Sequence, residues 1–112
     1  DLGLFRLISG CKKSVLNKFV EDTISPLIMY DKANNTDYIN ILKHYFLCNC
    51  KTNKTADILF MHENTIRYKL KKISEITGVD FYNIESVLDL YVGLKIYLLL
   101  SNEAPDINKF SF

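Results

Sequence analysis

The chain has 112 residues, 48% of them hydrophobic and 24% charged, which is the balance of one ordinary globular domain. At this size roughly two-thirds of the unfolded surface is buried on folding, enough for a core without disulfides or a structural metal. An odd cysteine count (Cys11, Cys48, Cys50), no signal-peptide pattern and no apolar run near the roughly 20 residues of a membrane span set aside a disulfide scaffold and a membrane protein. A reducing cytoplasm is the expected compartment.

A net charge of +1 by itself argues against a nucleic-acid partner, but the charge is unevenly placed. Residues 51–72 carry six basic side chains (Lys51, Lys54, Arg67, Lys69, Lys71, Lys72) against Asp57 and Glu63. From Ile73 onward six acids face only Lys95 and Lys109. The positive charge gathers in the middle of the chain.

Helical periodicity runs through nearly the whole sequence and no alternating apolar-polar stretch is long enough for a sheet, so the fold class is all-α: a compact multi-helix domain. The apolar cluster of residues 1–10 begins abruptly and is expected to be the remnant of a preceding domain's end. Ser14 is placed to cap a helix with Val15, Leu16, Phe19 and Val20, and Ser25-Pro26 opens another with Leu27, Ile28 and Tyr30. Thr36 is the expected N-cap of a helix through about Leu47, striped by Ile39, Leu42, Tyr45 and Phe46. After a connector, a short helix is expected from about Lys54 to Phe60. A longer one follows the interruption at Met61-His62-Glu63 and ends before Gly78, a glycine suited to the left-handed position after a helix. The segment from Glu85 to Leu100 has a broad apolar face, able to close the core or pair with a second copy. The domain proper is thus expected over 11–100, with a flexible tail at 101–112.

Two helices separated by a short interruption, with a small residue (Ala56) in the first, meet the requirements of a helix-turn-helix. In the second helix, Leu70, Ile73 and Thr77 fall within about 40° of Ile66 at about 100° per residue, making one inward stripe. The opposite arc carries Asn64, Thr65, Arg67, Tyr68, Lys71 and Lys72. Arginine can pair with guanine O6 and N7, asparagine with adenine N6 and N7, and recognition helices read bases mainly with N-terminal residues. Asn64, Thr65, Arg67 and Tyr68 are therefore the expected base contacts. Lys71 and Lys72 are expected on phosphate, as are His62 and the start of the preceding helix, Lys51, Asn53, Lys54 and Thr55, where free N–H groups favour an anion. Tyr68 has an equal claim to packing on a neighbouring helix.

These residues carry a resemblance. Asn53-Lys54-Thr55-Ala56, then Leu59 through Ile73, then Glu75-Ile76-Thr77-Gly78 resemble the C-terminal helix-turn-helix of PucR/CdaR-type bacterial transcription regulators. Asp1 to Leu7, Pro26 to Asp31 and Thr36-Asp37 are similar to the lead-in segments of that family. The resemblance implies a DNA-binding output domain of a longer bacterial regulator whose upstream part senses a metabolite and controls catabolic or related genes. From the motif itself, sequence-specific binding to double-stranded DNA by a homodimer is expected. One departure stands out: Glu63 replaces the arginine usual after the histidine of the turn. Its carboxylate can favour the helix N-terminus, accept from a cytosine amine or repel phosphate.

Other chemistries find little support. Cys48-Asn49-Cys50 with His44 lacks the spacing and the second ligand pair of a zinc site. Paired carboxylates in a cleft, a nucleophile elbow and a glycine-rich phosphate loop are missing, so neither an enzyme nor a cofactor or metal site is expected. The alternative is a protein-interaction or dimerisation module that keeps the helix-turn-helix shape without strong DNA binding.

Overall fold

The computed structural model describes residues 2–101. Among them are seven helices: α1 (Leu2–Ser9), α2 (Lys13–Thr23), α3 (Ser25–Asn34), α4 (Tyr38–Leu47), α5 (Thr52–Leu59), α6 (Glu63–Thr77) and α7 (Ile84–Ser101). No strand occurs among the described residues, in keeping with the all-α expectation. The expected tail beyond Ser101 lies outside them.

The main core is assembled around α6, which packs on α3, α4 and α5. Ile66 and Ile73 are fully buried and Leu70 nearly so, as the inward stripe requires, and they meet Ile24, Leu27, Ile41, Leu42, Leu90 and Leu94. A smaller cluster joins Ile8 of α1, Leu16 of α2 and Ile96 of α7, so the first helix packs on the same body as the rest. Aromatic edges tie α4 to its surroundings: Phe46 meets Tyr91 and Tyr45 meets Phe81, both near perpendicular, with centroids 5.1 and 5.7 Å apart.

Several helix starts differ from the sequence expectation, and at α4 and α7 a side chain outside the helix satisfies the free N–H donors. Ser14 lies inside α2, whose N-cap is Lys12 with no side-chain bond. Thr36 does not cap α4. Its hydroxyl donates to Asp31 Oδ1, and the Asp31 carboxylate reaches forward from α3 to accept from the Tyr38 and Ile39 amides at 2.9 and 2.8 Å. α5 starts two residues early, at Thr52, and α7 starts at Ile84, where Asn83 Oδ1 accepts from the Glu85 and Ser86 amides. Gly78 does close α6, at φ 77 in the left-handed region, with its N–H on the Ser74 carbonyl.

Gly93 was not singled out by the sequence pattern, yet it sets the approach of α7 to α2. A Cβ on it would stand 2.0 Å from Thr23 Oγ1 and 2.9 Å from Thr23 Cβ.

Candidate nucleic-acid interface

α5 and α6 are joined by Phe60, Met61 and His62. Phe60 takes the left-handed conformation (φ 55) that ends α5, its amide bonded to the Asp57 carbonyl. Met61 N–H returns to the Ala56 carbonyl at 2.9 Å. This reversal brings the small Ala56 into the core against α6. α6 then opens on His62, whose Nδ1 accepts from the Asn64 amide at 3.1 Å. Acting as acceptor, Nδ1 carries no proton, which leaves Nε2–H as the ring's donor.

The reversal also sets the N-termini of α5 and α6 side by side. Thr52, first residue of α5, donates its hydroxyl to Glu63 Oε2 at 2.9 Å. The same oxygen pairs with Arg67 Nη2 at 2.8 Å, and Arg67 Nη1 donates to Asn64 Oδ1 at 3.3 Å. The acidic departure at the turn is therefore the centre of a four-residue network that holds Arg67 and Asn64 in place, a role distinct from the three its position suggested. As the first residue of α6 its charge also suits the positive end of the helix dipole.

Asn64, Thr65, Arg67, Tyr68 and Lys71 are exposed, and Lys72 is half-buried. Lys72 Nζ sits 5.9 Å from the Tyr68 ring centroid and 3.7 Å from Glu75, so the tyrosine ring lies on the outer surface under a cation instead of packing inward. Lys51, Asn53, Lys54 and His62 are also exposed. Thr55 is the correction. It is 0% exposed and its hydroxyl is bonded to the Lys51 carbonyl, so no phosphate can reach it. Its place four residues before Leu59, on the inward side of a 3.6-residue repeat, is the signal that marks it as core.

Lys69 is withdrawn from this surface. Its ammonium lies 2.9 Å from both carboxylate oxygens of Asp37 and is mostly covered. Among the described residues, Lys51, Lys54 and Lys71 make no ion pair, which leaves their charge available to a polyanion.

The cysteines are all free thiols. Cys48 is buried. Burial pushes the Cys50 thiol pKa up, against an opposing Tyr45 hydrogen bond, which works against thiolate chemistry there. His44 Nδ1 lies 2.8 Å from the Asn40 carbonyl of its own helix.

Residues 38–96 match the family described as the PucR C-terminal helix-turn-helix domain. The chain is 32% identical over 98 residues to the proline-responsive transcriptional activator PutR of Bacillus subtilis, covering 85% of this chain and 23% of that protein. It is 40% identical over 63 residues to the carbohydrate diacid regulator of Escherichia coli, covering 56% and 16%. To the purine catabolism regulatory protein of Bacillus subtilis it is 28% identical over 86 residues, covering 77% and 16%. The chain thus spans less than a quarter of each of these relatives. No solved structure matches it.

Proposed function

The chain belongs to the PucR family of transcription regulators and carries their C-terminal helix-turn-helix, a DNA-binding regulatory module and not an enzyme; on that premise we propose how it reads DNA. α6 enters the major groove, with Asn64, Thr65, Arg67 and Tyr68 at base edges. Lys51, Asn53, Lys54, His62, Lys71 and Lys72 meet phosphates on either side. Two copies in a homodimer present their α6 helices to half-sites about one helical turn apart. An upstream part of the full protein binds an effector, and the regulator works in the cytoplasm.

The observation that carries this reading is the uncovered arc of α6. The rest of the fold buries one side of the helix and leaves Asn64, Arg67, Tyr68 and Lys71 facing solvent beside the N-terminus of α5. Selection from random duplexes by the full-length regulator is the direct test. The expected result is a pair of enriched half-sites whose centres lie about 10 base pairs apart, or a multiple of that spacing. Recovery of unenriched sequence would remove base reading from α6.

One observation favours the interaction-module reading. Phe60 is 96% exposed in the turn itself, beside a half-exposed Ile58. An apolar partner docking there would bind with little dependence on salt, which sets this reading apart from phosphate contact.

A further inference from the structure

The segment that follows α6 is a pinned turn beside the exposed arc of that helix. Ser74 of α6 donates its hydroxyl to the Val79 carbonyl at 2.6 Å, and Ser86 of α7 accepts from the Asp80 amide at 3.1 Å. Within the turn, Asp80 Oδ1 accepts from the Tyr82 amide and the Asp80 carbonyl from the Asn83 amide. Phe81 anchors it from below, edge-on to Tyr45. The consequence is a pinned backbone that presents one side chain fully to solvent: Tyr82 is 101% exposed.

Tyr82 and residues of α6 line a common cleft of about 510 Å³. Arg67, Lys71 and Ser74 of α6, Thr52 at the start of α5, and Asp80 and Tyr82 of the turn line it together. Arg67 is already paired with Glu63, and Asp80 holds the turn's own amide, so Lys71 is the cation of this cleft with no ion pair among the described residues. A strand of DNA lying along the exposed arc of α6 would pass over this opening. An aromatic hydroxyl presented to water from a pinned turn can donate to a phosphate oxygen, and because the backbone is fixed before binding only the side chain has to be ordered.

We propose that the turn at Tyr82 is a second DNA-contacting element, in which a backbone phosphate is held between the Lys71 ammonium and the Tyr82 hydroxyl. This rests on the reading of α6 as the groove helix. The contact extends the footprint beyond the recognition helix and strengthens binding without selecting a base.

The test measures binding of a selected and a scrambled duplex by fluorescence anisotropy across a salt series. The proteins are the wild-type chain, Tyr82→Ala, Tyr82→Phe, Lys71→Ala and the Tyr82→Ala/Lys71→Ala double variant. Tyr82→Ala and Tyr82→Phe should each weaken both duplexes about tenfold, the scale of one hydrogen bond to a charged group. Their salt dependence should match the wild type, because tyrosine neutralises no phosphate. The double variant should lose less than the two single losses combined, since both groups grip one phosphate. Wild-type affinity in Tyr82→Ala, or full affinity retained in Tyr82→Phe, would overturn the proposal. So would loss of dimer by Tyr82→Ala in sedimentation, which would make the residue a contact between chains. Failure of the wild-type chain to bind any duplex is a different outcome, and defeats the DNA reading of α6 itself.

Discussion

Gly93→Ala should destabilise the domain by roughly 2 kcal/mol, the scale of overpacking a close-packed contact less the helix-propensity gain of alanine over glycine. The added methyl would stand 2.0 Å from Thr23 Oγ1, far inside contact distance, and Thr23 cannot simply turn away. Its hydroxyl is bonded to the Phe19 carbonyl at 2.7 Å and its β-branch restricts rotation. Relief therefore requires α7 to move off α2, which disturbs Ile24, Leu90 and Leu94 together in the core. Urea unfolding followed by circular dichroism measures the loss. The Thr23→Ala/Gly93→Ala pair should recover part of it, because the hydroxyl contact goes while the 2.9 Å contact to Cβ stays. An unchanged midpoint in Gly93→Ala would mean that α2 and α7 are not held at this distance.

Arg67→Ala should cost on the order of 1 to 3 kcal/mol of binding and relax preference at one base position. Glu63→Ala should reproduce the relaxed preference. Without the carboxylate that also takes the Thr52 hydroxyl, the guanidinium loses its fixed orientation and a rigid arginine becomes a mobile one. The overall affinity should move the other way: unrelated duplexes should bind more tightly, since one negative charge no longer faces phosphate. Because the pair is partly exposed, its direct worth to folding is small, so the effect belongs to recognition and not to stability. A double-mutant cycle on a selected duplex and a single-base variant should give a coupling of about 1 kcal/mol between the two positions. Equal tightening on every duplex, with discrimination intact, would reduce Glu63 to a bare charge.

The parts of this domain that sequence alone makes legible are the parts governed by short-range spacing. Ile66, Leu70 and Ile73 announce the buried side of α6 at 3.6-residue intervals, and Gly78 announces its end. The outward arc follows from the same wheel, which is why most candidate contacts fall at the surface. What escaped depends on partners distant along the chain. Asp31 caps a helix that begins seven residues later, Gly93 is required by a threonine seventy positions before it, and Glu63 is held by Thr52 across the motif. Thr55 was misplaced for a different reason: residue type at a helix start suggested solvent, whereas helical phase points it into the core. Tyr82 lies in a turn, where no periodicity exists to mark a side chain as significant.

The salt dependence of duplex binding tests the central claim most directly, because phosphate contact through an exposed cationic arc leaves a thermodynamic signature. The logarithm of the association constant should fall linearly with the logarithm of salt concentration, with a slope near −0.9 for each phosphate neutralised. Lys71→Ala should make that slope shallower by about 1, whereas Lys69→Ala, whose ammonium is held by Asp37, should leave it unchanged. A flat salt response, or equal slopes for the wild type and Lys71→Ala, would contradict the account.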